Sequence, residues 1–227
     1  LFEHLRHKYT EHGLPLKATF ELTPRCTLNC HMCYMHVDGL QRKELSTEQW
    51  PSVMRDACDA GLLYAGLSGG ECTLHPGFAE IYRYLKSRGV FVTVQTNGTL
   101  VDETLVSLFS ELPPRSVRTT LYGADAAGYE RITGHKEAFE KVVRGLKLLK
   151  AANIRSGITL TVTRQLFGDL PRVLALASEL TNGSVNVDSD LMQPQAETGR
   201  ALNDFALSMD EQTAVWDPVK AQDLMTN

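Results

Sequence analysis

No apolar run in the 227-residue chain approaches the roughly 18 residues that a membrane-spanning helix needs. The opening, LFEHLRHKYTEHGLPLKATF, carries charge throughout and lacks the apolar region of a secretory signal. Basic residues are not in excess. Lys and Arg number 23 against 27 acidic residues, a formal charge of −4, which argues against a general nucleic-acid binder. Low-complexity tracts and short repeats are missing too. What is left, 43% hydrophobic and 22% charged, is the composition of an ordinary globular chain of a size for one sizeable domain. The expectation is a cytoplasmic protein with no membrane and no nucleic-acid partner. The first residue is Leu1 and not Met, so a longer natural chain is also expected.

Cysteine is scarce and unevenly placed. The five are Cys26, Cys30, Cys33, Cys58 and Cys72, and none follows. An odd count without a secretory signal argues against a disulfide framework. Three of them crowd into RCTLNCHMCY, residues 25–34. In a reducing compartment, such a cluster of free thiols points to metal. Cys58, inside an amphipathic helix, reads as core, and Cys72 as packing.

The apolar pattern alternates strand-like and helix-like runs. Strands are predicted over 17–22, 62–68, 90–96, 116–123, 155–163 and 184–192. Helices are predicted over 46–61, 78–89, 102–112, 136–153 and 170–181, the first opened by a Ser46–Gln49 capping box, with Pro51 tolerated in its first turn. A further helical stretch, 207–224, has Ser208 as N-cap and Glu211 three residues on. Six strands alternating with helices predict an α/β domain with a parallel sheet. Periodicity does not separate an open sheet from a partial barrel. In both, ligands gather at the carboxyl ends of the strands. The cysteine loop, the GGE of 69–71 and the NG of 97–98 all fall at such ends, after strands one, two and three.

Thiolate sulfur suits zinc, copper(I) and iron–sulfur clusters. A structural zinc needs four protein ligands, and Cys58, Cys72, His31 or His36 are available as a fourth. A [4Fe–4S] cluster normally takes four thiolates. Three would leave one iron open to a group that is not protein. In GGE, two glycines permit close backbone approach, and the carboxylate beside them is able to accept a hydrogen bond from an ammonium group.

Cys26, Cys30, Cys33, the SGGE of 68–71 and the βα alternation that carries them resemble the radical S-adenosylmethionine (SAM) superfamily. The resemblance implies a partial (βα)6 barrel of parallel strands, with the three cysteines holding a [4Fe–4S] cluster whose open iron chelates SAM. It implies that Gly69, Gly70 and Glu71 hold the SAM amino group. Met32 and Tyr34 would lie near the adenine, Thr120 of TTLYG would contact SAM, and Thr96 and Asn97 of QTNG would face the site. Arg131 of YERITG would pair with the SAM carboxylate, although its spacing departs from the family pattern, and Leu191 and Met192 would flank the adenine. The implied reaction is reductive cleavage of SAM to a 5′-deoxyadenosyl radical, which abstracts a hydrogen atom from substrate. No acid or base residue is identifiable. Residues 120–154 and LMQPQAETGR (191–200) further resemble enzymes that modify ribosomally made peptides and carry a SPASM domain. The expected organisation is an N-terminal extension (1–16), a radical SAM core (17–200) and a helical segment (201–227) leading to a SPASM-like domain. The expected partners are a precursor peptide and an electron donor such as a flavodoxin or ferredoxin. The alternatives are a small-molecule substrate or, from other classes, a zinc-stabilised binding module or an iron–sulfur electron carrier.

Overall fold

The outward-facing residues of each strand explain why the strands form. Ala65, Leu67, Val92, Val94, Val117, Ile158 and Leu160 alternate along four strands, and each is at most 2% exposed. A period of two buries every second side chain on one face. The computed structural model describes residue 7 and residues 9–35, 43–188 and 205–216. In it, β1 (Lys17–Glu21), β2 (Tyr64–Ser68), β3 (Phe91–Thr96), β4 (Ser116–Thr120), β5 (Ser156–Thr161) and β6 (Val185–Asp188) form one sheet. Each pairs in parallel with the next, in the order β1 to β6.

That order answers what periodicity left open. A doubly wound sheet reverses its strand order once, placing helices on both faces. Here no reversal occurs, so crossovers of one hand step in one direction and leave all helices on one face. This is barrel connectivity, with six strands instead of the eight of a closed (βα)8 barrel. The crossovers run through α1 (Trp50–Asp59), α2 (Phe78–Ser87), α3 (Glu103–Glu111), α4 (Ala126–Thr133) with α5 (Ala138–Ala151), and the short α6 (Arg164–Phe167) with α7 (Leu170–Leu180). α8 (Met209–Trp216) follows. The core has two parts: one around Met54, Ile81, Leu85 and Phe109, the other around Leu146, Ile158, Val173 and Leu180. None of the described helices is long and apolar enough to cross a membrane.

Several element ends differ from the sequence reading. α1 starts at Trp50, after a turn in which the Ser46 amide donates to Gln49 Oε1 at 2.9 Å, half of the predicted capping box. β4 ends at Thr120 and not at residue 123. Beyond 188, the predicted last strand lies outside the described residues. The box before α8 is complete: the Ser208 amide donates to Glu211 Oε2 at 2.7 Å, and the Glu211 amide to Ser208 Oγ at 3.2 Å.

α4 is absent from the sequence reading. Gly128 in its interior and the β-branched Ile132 and Thr133 near its end weaken the helical signal. The helix forms because Asp125 Oδ1 accepts the Gly128 amide at 2.8 Å, and because Gly134, at φ +73°, closes the C-terminus. The two glycines pack closely: a Cβ on Gly123 would lie 2.8 Å from the Gly128 carbonyl carbon, and one on Gly128 would lie 3.3 Å from Gly123 Cα. Asp125→Ala should cost about 0.5–2 kcal/mol of stability through the lost cap. Urea unfolding measures this, and an unchanged midpoint would show that the cap is idle.

Candidate active site

The cysteine loop hangs between two anchors. On one side, the chain leaving β1 stays paired with the end of β2: the Gly70 amide donates to Thr23 O and the Glu71 amide to Arg25 O, both at 2.8 Å. The glycines make this contact possible. Gly69 sits at φ +142°, and a Cβ there would come 2.4 Å from Thr23 O; one on Gly70 would come 2.4 Å from Arg25 O. The close approach is thus to the protein's own backbone. On the other side, the Asn29 and His31 amides donate to the carbonyls of Thr133 and Ile132 at 3.1 and 3.0 Å. The last turn of α4 leaves carbonyls without partners inside the helix, and the loop takes two of them. Leu28 and Cys30 then sink into the second core region.

Three thiols are held together there. Cys26 Sγ receives the Leu28 amide and Asn97 Nδ2, each at 3.4 Å. Burial pushes the Cys26 thiol up, and burial together with charge repulsion from Cys33 and then Cys26 pushes Cys30 up to about 12. The Tyr122 hydroxyl donates to Cys30 and opposes that rise. Neighbouring buried thiols resist ionising together unless a positive group joins them. Among the described residues, no three His, Cys, Asp or Glu side chains converge on a point that would hold a single metal ion, as structural zinc requires.

Glu71 is fully buried behind this loop. Its Oε1 accepts the Thr73 amide at 3.1 Å and the Thr73 hydroxyl at 2.6 Å. Its Oε2 accepts the Asn97 amide at 2.7 Å, and the Thr96 hydroxyl lies within 2.9 Å of both oxygens. Asn97 Nδ2 also donates to Thr27 Oγ1 at 2.9 Å, beside its contact with Cys26. Glu71, Thr96 and Asn97 thus lock the ends of β2 and β3 to the cysteine loop.

In front lies a cavity of about 620 Å³ on the inner face of the sheet. Cys33, Tyr34, Gly69, Gly70, Thr96, Asn97 and Thr120 line it. Tyr34 also donates its hydroxyl to Glu21 Oε1 at 2.7 Å. The Glu71 side chain is not among the lining groups, because its acceptor capacity is turned to Thr73, Thr96 and Asn97. Met32 packs against the second core region. Arg131 is not brought to the cavity: it is exposed on α4, near Gly128, while Tyr129 and Ile132 take the buried side. Leu191 and Met192 lie outside the described residues. The sequence reading missed Tyr122, whose signal was its place two residues beyond Thr120 on the same side, and Arg118, two residues before it.

The profile described as the radical SAM superfamily matches residues 20–176, well over half of the chain. The chain belongs to the radical SAM superfamily. PqqA peptide cyclase of Gluconobacter oxydans (strain 621H) is 30% identical over 175 residues, 76% of this chain and 49% of that protein. Fe-coproporphyrin III synthase of Methanosarcina barkeri (strain Fusaro / DSM 804) is 29% identical over 163 residues, 71% of this chain and 41% of that protein. Streptococcus suis SuiB, solved bound to the precursor peptide SuiA, superposes with a TM-score of 0.70 at 17% identity, over 96% of this chain and 49% of that one. The chain thus spans about half the length or less of these proteins. The cofactors of the radical SAM family are a [4Fe–4S] cluster and SAM. The donor set fits them: the charges of Cys33 and Cys26 both bear on Cys30, so the three thiols lie close together, and Cys33 lines the cavity.

Proposed function

We propose that this radical SAM protein modifies a peptide, with Cys26, Cys30 and Cys33 holding the cluster and the cavity beside them holding SAM and substrate. The observation that carries the reading is the three-thiol loop, fixed through Asn97 and Glu71 to the strand ends that open on the cavity. When bound, the cluster and SAM supply one-electron cleavage and a carbon-centred radical that removes a hydrogen atom. The residues of the chain position and enclose. The Gly69 and Gly70 backbone lies on the cavity wall, where carbonyl oxygens are suited to a SAM ammonium, while Glu71 fixes their placement from behind. Thr96, Asn97 and Thr120 offer polar groups to the rest of SAM, and Tyr34 a ring to the adenine.

A peptide substrate is favoured by the relatives, since PqqA peptide cyclase and peptide-bound SuiB are named for peptides. A second reading, a small carboxylated tetrapyrrole, is favoured by the similarity to Fe-coproporphyrin III synthase. The reading further includes a flavodoxin or ferredoxin as electron donor, a cytoplasmic setting, and a SPASM-like domain beyond the 17–200 core. The test is anaerobic reconstitution with iron and sulfide, then reduction with SAM present, together with co-expression beside precursor peptides encoded near the gene. The expected results are release of 5′-deoxyadenosine and a mass change in a peptide; iron above four per chain in the intact gene product would mark the added domain. Turnover of coproporphyrin with no peptide altered would overturn the peptide assignment.

A further inference from the structure

The inner face of the sheet carries an arginine that no acidic side chain among the described residues answers. Arg118 is the central residue of β4, flanked in register by Gln95 on β3 and Gly157 on β5. Val117 and Thr119 face the helices and are buried, so Arg118 points the other way and lines the cavity. Gly157 makes room for it: a Cβ there would lie 2.8 Å from Arg118 Nη1 and 3.2 Å from Cζ. Nη1 is buried without a hydrogen-bond partner. The ion-paired arginines among the described residues are Arg25, Arg83, Arg88, Arg144, Arg164 and Arg172; Arg118 is not one of them.

The rest of the cavity does not answer it either. Lys17, Arg115 and Arg155 add positive charge at the amino ends of the strands, Arg115 stacked on the Tyr64 ring at 5.2 Å. No Asp or Glu is among the described lining residues, although the chain as a whole carries −4. Arg118 as a whole is half-buried, but a charged donor atom such as its Nη1, buried without a partner, is destabilising and rarely kept without a use. Cationic walls without counter-charges concentrate anions. The fork of a guanidinium fits a carboxylate in particular.

We propose that Arg118 receives a carboxylate of the substrate, carried on a short alkyl arm such as a glutamyl or aspartyl side chain, in the middle of the cavity. Strand rise places it roughly 6–7 Å deeper than Thr120 at the strand end. The proposal rests on reading the cavity as the substrate chamber of a radical SAM enzyme, but its test needs no SAM cleavage.

The experiment measures the melting temperature of the reconstituted holoprotein with glutarate and with its neutral analogue glutaramide. Wild type should be stabilised saturably by glutarate, as linkage requires of a ligand that binds only the folded state, and not by glutaramide. Arg118→Met should bind glutarate ~10- to 150-fold more weakly. Arg118→Lys, which keeps the charge but not the fork, and Gly157→Ala, which crowds the guanidinium, should lie between. Saturating SAM should leave the glutarate effect in place; its loss would mean that the carboxylate is that of SAM, and would overturn the assignment to substrate. An acetylated Ala-Ala-Glu-Ala-Ala amide against its Gln counterpart, and coproporphyrin, then assign the source: an Arg118-dependent shift with the Glu peptide supports a peptide carboxylate. One with coproporphyrin alone supports the Arg118 receptor but overturns its peptidyl source. Equal shifts with glutarate and glutaramide, no shift with any carboxylate, or a full shift in Arg118→Met would sink the proposal while 5′-deoxyadenosine release still stood.

Discussion

Alanine at Cys26, Cys30 or Cys33 is expected to leave the reconstituted protein without iron–sulfur absorbance and without 5′-deoxyadenosine release, whichever of the three is replaced. The loop holds one thiol beside Asn97 and Leu28, one beside Tyr122 and one at the turn where the Cys33 amide donates to Cys30 O at 3.0 Å. No other cysteine is placed to take over. Cys72 is wholly buried, its thiol pushed well up by burial and then by the Glu71 carboxylate, and it donates to Gln95 O at 3.2 Å. Cys58 lies on α1, far along the chain from the loop and held near Arg88 and Asp59. Cys58→Ala and Cys72→Ala should therefore keep both cluster and cleavage. The fold should survive all five substitutions, because the loop is suspended by backbone amides of Asn29, His31, Gly70 and Glu71 and not by sulfur. Full absorbance in Cys26→Ala, or its loss in Cys72→Ala, would remove the ligand assignment.

The strands were legible because every second residue of VFVTV or ITLTV meets the helices, and local alternation records that directly. Periodicity alone did not carry the barrel, because strand order depends on where each crossover returns, which no short window contains; the motifs shared with the radical SAM superfamily supplied it, and the β1-to-β6 order agrees. α4 escaped for a local reason: Gly128, packed against Gly123, reads as a helix breaker. The cysteine triad stood out as side-chain chemistry, but its suspension is made of backbone groups, and a carbonyl at Ile132 or Thr133 leaves no mark in residue type. The glycines of GGE were visible as sites of close approach, while the partner, the carbonyls of Thr23 and Arg25, appears only in three dimensions. Arg118 was hidden by its own pattern. A charged residue alternating with Val117 and Thr119 reads as solvent-facing, and only closure of the sheet turns that face into a cavity wall.

Glu71→Gln should lower the stability of the SAM-free protein by about 1–3 kcal/mol, the cost of leaving a buried donor unanswered. The geometry makes the loss unavoidable. Oε1 accepts the Thr73 amide and Oε2 the Asn97 amide. Neither backbone N–H can reverse its role, so a glutamine in either orientation sets its NH₂ against one of them. For a chain of this size the melting temperature should fall by roughly 2–12 °C. The Thr96 hydroxyl can turn to follow, but the Asn97 amide cannot, and Asn97 carries the Nδ2 that reaches Cys26 and Thr27. Cluster content should persist, because all three thiols remain, while SAM affinity falls as the junction of Gly69, Gly70 and Asn97 loosens. A direct ammonium contact by the Glu71 side chain makes a different forecast: about 1.5–3 kcal/mol, or ~10- to 150-fold, lost in SAM affinity with little change in the SAM-free melting temperature. Thermal melting without SAM and titration with SAM separate the two. An unchanged melting temperature with weakened SAM binding would return Glu71 to the cavity as a ligand, and a lowered one fixes it as the brace behind the site.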